Sequence, residues 1–390
     1  MGKEVFLDLK TLAIIVNYRS YALTLQAVQS VLASESLGSV SVAVVDNSAL
    51  TEEAEMLRSN LPPSVSLRVN DRNMGFGFGC NQAFREFSGD AILLMNPDAR
   101  LLPGCLKQLQ KTLFLDPDVA AVSPQVFWDD DQNFYLPLPY PISLYEFRSL
   151  LASRGSRSLV NRFIGFLWRK KSIKLWQSEK PFKVSNLSGG LVLLDRRAVL
   201  EAGGLFDPGF FLYFEDTDLV LRLTDKGYRL LIEPKAKAIH YHDQCGRDEL
   251  PEKRRLMAES YAFFLQKHGK VWKRRMKKAL ERFPGPAYSE NGSNVPVFRS
   301  PFSLNVPPHL REGWLFEWSP NPDLVPAVGR FGSGSKMDFP ETCWELLSPG
   351  RYFGRLGGIK GSGTPFDRVS FVKNHKETHG KDMPCRPKKN

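Results

Sequence analysis
The chain has 390 residues, 42% hydrophobic and 24% charged, with a formal net charge of +11. This is a soluble globular class with length for one large domain or two ordinary ones. No run reaches the roughly 20 apolar residues that span a bilayer, and "MGKEVFLDLK" at the start lacks the apolar core of a signal peptide. The five cysteines are scattered, odd in number and never spaced Cys-x-x-Cys. That argues against a disulfide framework or zinc knuckle and points to a reducing, cytoplasmic protein.

In chain order, the first signals are the apolar runs "TLAIIVNY" (11–18), "VSVAVVDN" (40–47), "SLRVN" (66–70) and "AILLMNPD" (91–98). Helical patterns separate them, beginning with Leu25, Val28, Val31 and Leu32. Pro103 suits the start of a helix that continues through "CLKQLQKTLFLD". Continuous apolar strands alternating with helices predict a parallel sheet covered on both faces. Ligands of such sheets bind beyond the carboxyl ends of the strands. The polar endings Asn17-Tyr18, Asp46-Asn47 and Asn96-Pro97-Asp98 all fall on that edge.

Residues 129–183 interrupt the pattern as a basic insertion. The turn-rich "DDDQNFYLPLPYPIS" leads into Arg148–Lys183, with ten basic residues and one acidic. Phe163, Phe166, Leu167 and Trp168 beside these cations suit a membrane surface or an acceptor groove, or equally a mobile loop with ordinary hydrophobic anchors. Regular structure is expected to resume with "SNLSGGLVLLDRRAVLEAGGLFD" (185–207), a strand and a short helix. Asp216 or Thr217 is expected to cap a helix ending at Gly227, with "YRLLIEP" and "KAIHYH" as strands after it. Pro251–Phe283 holds eleven basic residues and three acidic, with apolar residues at helical spacing; Gly269 is expected to break it into two helices. The first domain is expected to span 1–284, with a linker at 285–295. A small β-rich accessory domain is expected at 296–372, with "WLFEWSP" and "GRYFGRLG" as strands, then a disordered basic tail at 373–390.

Several stretches could carry chemistry. "NMGFGFGCNQA" spaces its glycines Gly75, Gly77 and Gly79 as Gly-x-Gly-x-Gly, which is neither the dinucleotide fingerprint nor a phosphate-binding P-loop. The glycines imply either a tight turn on the sheet or backbone pressed against a ligand. Asp46 at a strand end can accept hydrogen bonds from a base or ribose, or cap a turn. Asp98 can bind a hard divalent cation that bridges phosphates, or complete an Asn-Pro-Asp turn. Glu215, Asp216 and Asp218 crowd into four residues, so a helix N-terminus, a cation or a function must offset their repulsion. A carboxylate there could take a proton from a hydroxyl nucleophile. His240 and His242 alternate on an expected strand and would face the same way.

In that order, "IIVNYRS", "VVDNSA", "NMGFGFGCNQA", "LLMNPDA", "SGGLVLLDRRAVLEAGGLFD", "FFLYFEDTDLVLRLTDKGYRL" and "AIHYH" resemble the inverting glycosyltransferases of family 2, rhamnosyltransferase-like branch, over residues 10–270. The resemblance implies an α/β GT-A fold, a Rossmann-like and mainly parallel sheet, with the β-rich C-terminal region outside it. It implies transfer of a sugar, rhamnose among the candidates, from a nucleoside-diphosphate donor (dTDP-rhamnose or a UDP-sugar) to a glycan or lipid-linked acceptor. Asn17, Tyr18, Arg19, Asp46, Asn47, Asn73, Gly75, Gly77, Gly79, Asn81, Asn96 and Asp98 would line the donor site. Asp216 would be the catalytic base, with Glu215 the second candidate, and Gly189 and Gly190 would floor the acceptor side. Asp98 and His240 would hold Mg²⁺ or Mn²⁺, although Asn96 stands where the family's Asp-x-Asp motif has its first carboxylate. The resemblance and the basic stretches together admit an anionic membrane surface as a partner, with the protein peripheral at the inner face of the plasma membrane, and no nucleic acid. The rival readings are a sugar-nucleotide-processing nucleotidyltransferase of similar fold and a non-catalytic glycan- or nucleic-acid-binding protein.

Overall fold
The computed structural model describes residues 9–137, 157–242, 244, 250–280, 296–359 and 367–374. The chain divides into two compact units, one up to residue 292 and one from residue 293. The expected linker at 285–295, the turn-rich segment from 138 to 156 and the tail beyond 374 lie outside the described residues.

The first unit opens as β1 (Lys10–Asn17), α1 (Tyr21–Leu32), β2 (Ser39–Asp46), α2 (Thr51–Asn60), β3 (Val65–Val69), α3 (Phe76–Arg85) and β4 (Ala91–Met95). It continues as β5 (Ala99–Leu101), α4 (Cys105–Phe114), β6 (Val119–Phe127), α5 (Arg157–Trp176), β7 (Phe182–Val184), β8 (Leu191–Asp195) and α6 (Arg196–Glu201). It ends with α7 (Glu215–Asp225), β9 (Arg229–His240) and α8 (Leu250–Leu280). The strands form a single sheet in the order β3-β2-β1-β4-β8-β6-β9-β5, with β7 also paired to β9. β1, β2, β3 and β4 are mutually parallel and β6 is parallel to β9, while β8 runs antiparallel between β4 and β6.

The apolar runs become strands because both of their faces are covered. Ala13 and Ile15 pack in one cluster with Val28 and Val31 of α1 and Leu106 and Leu109 of α4. Val16, next in the strand, faces α3 on the other side, where its methyls lie 3.2 Å from the Cβ position of Gly79. Each such fully buried branched side chain contributes roughly 1.5–3 kcal/mol relative to exposure. The register then fixes the site edge: Asn17 lies opposite Asp46, and Met95 of β4 lies opposite both Ile15 and Leu191.

Four expectations are corrected. The basic insertion contains a helix, α5, tied to the sheet by Gln125 Nε2 donating to the Trp176 carbonyl and Trp176 Nε1 donating to the Leu136 carbonyl. "YRLLIEP" and "KAIHYH" are one strand, β9, whose register against β6 shifts at Pro124/Gln125. That strand stops at His240, and His242 lies beyond it in the left-handed region, φ 57°. Gly269 does not interrupt α8, because helix interiors tolerate glycine at about 1 kcal/mol.

Each glycine of the stretch has a protein neighbour where its side chain would stand. A Cβ on Gly75 would stand 2.2 Å from the Phe211 carbonyl oxygen, and Gly75 sits at φ 85°, ψ 163°, backbone that is essentially glycine-only. Gly77 faces Phe206 and Gly79 faces Val16. Asn81 also turns inward, its Nδ2 donating to the Phe206 carbonyl (2.8 Å) and its Oδ1 accepting from the Phe206 N–H (3.1 Å). The stretch is a close-packed joint between α3 and residues 206–211.

In the second unit β10 (Val297–Phe298), β11 (Phe302–Asn305), β12 (Trp314–Ser319), β13 (Val328–Gly332), β14 (Lys336–Phe339), α9 (Glu341–Leu346), β15 (Gly350–Gly358) and β16 (Asp367–Lys373) follow one another. Five strands form a sheet in the order β10-β16-β15-β12-β13, and β11 pairs with β14. Phe316, Phe339 and Phe371 are fully buried at its core.

Gly75→Ala should lower the unfolding free energy by about 2 kcal/mol or more, because strain and clash coincide there. Gly79→Ala, where the Val16 methyls can shift, should cost less. Urea unfolding of the two variants checks the order, and equal losses would contradict it.

Candidate active site
The carboxyl edge of the sheet is built from three polar clusters. The first locks β1 to β2. Asn17 is fully buried; its Nδ2 lies within hydrogen-bond distance of Asp46 Oδ1 (2.9 Å), Ser48 Oγ (3.1 Å) and Glu53 Oε2 (3.0 Å). Its Oδ1 accepts from Ser20 and Thr24. Asp46 Oδ1 also accepts the Ser48 N–H (3.0 Å), while its buried Oδ2 has no hydrogen-bond partner among the described residues. Glu53 accepts the Tyr21 N–H as well, and burial raises its pKa against the pull of its Asn17 and Tyr21 hydrogen bonds. Tyr18 and Arg19 continue the turn, with the Arg19 guanidinium over the Tyr18 ring and Arg19 at φ 51°. Asn47 donates to the Gly75 carbonyl (2.8 Å), which joins this cluster to α3, while Asn73 Oδ1 accepts the Gly75 N–H.

The second cluster closes the turn after β4. Ala99 N–H donates to the Asn96 carbonyl (3.1 Å), so Asn96-Pro97-Asp98-Ala99 is the turn its sequence suggests. The same turn places Asp98, 4% exposed, against β9. His240 Nε2 lies 3.0 Å from Asp98 Oδ1, and the Gln244 N–H donates to Oδ2 (3.3 Å). Burial alone would raise the Asp98 pKa, but His240, by charge and hydrogen bond, with Gln244 and His242, holds it down at about 2. The carboxylate is therefore ionised throughout the neutral range.

The third cluster is the first turn of α7, entered through Tyr213 and Phe214, both left-handed at φ 72° and 69°. Phe214, not Asp216 or Thr217, occupies the cap position. The three acids of this turn face three environments, which resolves their crowding. Asp218 points inward and is fully buried among Arg222 Nε (2.8 Å), Lys267 Nζ (2.7 Å) and His268 Nε2 (2.8 Å), which ties α7 to α8. Glu215 is buried, its Oε2 without a hydrogen-bond partner among the described residues, and burial, followed by the charge of Asp216, pushes its pKa up to about 8. Asp216 is partly exposed. Its Oδ2 accepts the Gly189 N–H (2.9 Å) and its Oδ1 accepts the N–H (2.6 Å) and hydroxyl (3.1 Å) of Thr217. Burial raises its pKa, and those three donors oppose the rise.

Gly189 and Gly190 connect the second and third clusters. A Cβ on Gly189 would lie 3.2 Å from Asp216 Cβ and 3.6 Å from the Phe76 ring. A Cβ on Gly190 would meet Asn96 Nδ2 at 3.0 Å and His240 Cε1 at 3.1 Å, and the Gly190 carbonyl accepts the Asn96 N–H (2.8 Å). Contacts thus run unbroken from Asp46 through Asn47, Gly75, Phe76, Gly189 and Gly190 to Asp98 and Asp216. Sequence reasoning overlooked Glu53, a helix-start glutamate just past β2, and the ties from Lys267 and His268. Only the basic, amphipathic pattern of α8 hinted at those ties.

Residues 12–199 match the family model described as glycosyl transferase family 2. The chain carries a family 2 glycosyltransferase domain. The glycosyltransferase is 29% identical over 266 residues to the N-acetylglucosaminyl-diphospho-decaprenol L-rhamnosyltransferase of Mycobacterium tuberculosis, covering 62% of this chain and 81% of that protein. It is 25% identical over 180 residues to the dTDP-rhamnosyl transferase RfbF of Shigella flexneri, covering 45% and 52% respectively. Among solved structures it is similar to the mannosyltransferase PcManGT from Pyrobaculum calidifontis in complex with GDP-Man and Mn2+. The TM-score is 0.42 at 16% identity, covering 61% of this chain and 59% of that one. The expected fold, a mixed α/β domain with most strands parallel and a separate β-rich C-terminal region, is the one this glycosyltransferase has.

Among the described residues no group of three or more His, Cys, Asp or Glu side chains could hold a metal ion by itself. Asp98 and His240 still fit a divalent cation. An ionised buried carboxylate beside an imidazole nitrogen suits an ion whose remaining positions are filled by phosphate oxygens and water.

Glu215 gives a pH signature. Its folded pKa lies above that of the unfolded chain, so stability is highest below about pH 4.5 as far as this group is concerned, and falls as pH rises toward 8. Glu215→Gln should therefore be the more stable protein at pH 8, by about 2–4 kcal/mol, with the gap closing near pH 5. Thermal or urea unfolding at the two pH values checks this, and a gap independent of pH would refute it.

Proposed function
We propose that this glycosyltransferase is inverting and transfers a sugar, rhamnose foremost, from a nucleoside diphosphate such as dTDP to a hydroxyl of a lipid-linked glycan acceptor in cell-surface polysaccharide synthesis. The observation that carries it is the Gly189-Gly190 turn, which touches the proposed base Asp216 on one side and the Asp98–His240 pair on the other. The sugar and the acceptor class follow from the names of the two rhamnosyltransferase relatives. An anionic membrane surface belongs to the same reading, since lipid-linked acceptors reside there.

Asp216 takes the proton of the acceptor hydroxyl as its oxygen bonds the anomeric carbon. The bond from that carbon to the diphosphate oxygen breaks on the opposite face, so the anomeric configuration inverts. The Gly189 and Thr217 donors hold the Asp216 carboxylate in one orientation while leaving the residue partly open. Glu215, protonated at neutral pH, adds no second charge beside it. Asn17, Asp46 and Asn47, with Tyr18 and Arg19 at the rim, form the nucleoside end, where Asp46 Oδ2 is a free acceptor for an N–H or hydroxyl of the donor. Asp98 and His240 would hold the cation, which when bound neutralises charge on the departing diphosphate.

Asp216→Asn should reduce transfer at least a thousandfold while dTDP-rhamnose still raises the melting temperature; near-normal turnover would remove the base assignment. Because the Asp216 pKa is raised, wild-type kcat/KM should fall on the acid side at a pH above the ordinary aspartate range. Asp98→Ala should weaken dTDP-rhamnose binding about tenfold or more with Mn2+ present and far less with chelator. Equal losses in both would count against a metal role.

A further inference from the structure
α5 sorts its side chains into two arcs. At about 100° per residue, Trp168, Ser172, Leu175 and Trp176 fall together and are all buried. Phe166, Leu167, Lys170, Lys174 and Gln177 fall within about 110° on the other side and are all exposed. Phe166 is 44% and Leu167 48% exposed, two large apolar side chains next to each other on a helix already anchored by its two tryptophans. The 20 residues of α5 include six lysines and arginines and no carboxylate. Lys180 and Lys183, just beyond it, are exposed as well.

We infer that this exposed face of α5 docks on an anionic bilayer surface, with Phe166 and Leu167 entering the headgroup region and Lys170 and Lys174 against lipid phosphates. Charge complementarity and geometry choose the occupant together. A lipid leaflet offers anionic heads and apolar depth in one plane, matching a helix that carries cations and apolar side chains on one arc. An acidic polypeptide would pair the lysines and leave the two apolar side chains wet. The buried arc binds α5 to β6 through Gln125 and Trp176, so the helix would lie along the membrane without leaving the fold. A lipid-linked acceptor, the reading on which the purpose of this docking rests, would be delivered in that same plane.

The test is co-sedimentation of the full chain with vesicles, without donor or acceptor. Vesicles of phosphatidylglycerol and phosphatidylethanolamine should bind at least tenfold more tightly than pure phosphatidylcholine, and 0.5 M NaCl should weaken the binding. Phe166→Glu with Leu167→Glu should lose at least tenfold in affinity, as should Lys170→Glu with Lys174→Glu, with melting temperatures unchanged. Equal binding to both lipid mixtures, wild-type binding by both double variants, or equally tight binding to polyglutamate would each overturn the inference. Vesicle binding without sugar transfer would sink the proposed reaction alone, and transfer without vesicle binding would sink the docking face alone.

Discussion

The site depends on one close approach. Where the chain turns into β8, Gly189 and Gly190 pass between the first turn of α7 and the end of β9 with almost no room to spare. The Gly189 N–H fixes Asp216, and the Gly190 carbonyl fixes the backbone of Asn96, two residues from Asp98. A side chain at Gly190 would have to displace Asn96 or His240. β8 makes this possible because it runs antiparallel to β4, so that its first residue, Leu191, rather than its last, lies beside Met95 at the working edge. An all-parallel sheet would bring a strand's carboxyl end to that position.

Charge at this edge is arranged by unequal burial. Asp98 and Asp218 are buried with cationic or imidazole partners that hold their pKa values down. Glu215 is buried without such a partner and stays protonated. Asp216, the acid between them, is partly open. Four carboxyl groups of similar intrinsic acidity thus end in distinct states. The sign of each shift follows from whether hydrogen bonds and opposite charge outweigh desolvation.

Much of this was legible in the chain. The apolar runs 11–18, 40–47 and 91–98 each announced both a buried strand and the polar residues at its end, because a parallel sheet covered on two sides leaves no other place for them. Asn96-Pro97-Asp98 is the turn that its sequence suggests, and that turn also buries the Asp98 carboxylate against His240. The glycines of 75–79 were ambiguous because absent side chains report a close neighbour without naming it; the neighbours are residues 206–211, some 130 positions away, for Gly75 and Gly77, and Val16 for Gly79. The cap of α7 was missed because Phe214 is held left-handed by its surroundings, against its own preference, while Asp216 is turned to Gly189. Lys267 and His268 could not be assigned to Asp218 from spacing, since a basic helix reads the same whether its cations meet water or a buried acid.

That last tie has a practical side. The segment that matches the family stops at residue 199, yet Asp216, His240, Lys267 and His268 all come later, and without α8 the buried Asp218 would lose two of its three partners and keep only Arg222. A minimal catalytic fragment trimmed to the recognisable portion would lose its proposed base. One ending after β9 would keep the base but unmoor it. The shortest chain able to hold the complete site in place runs at least through His268.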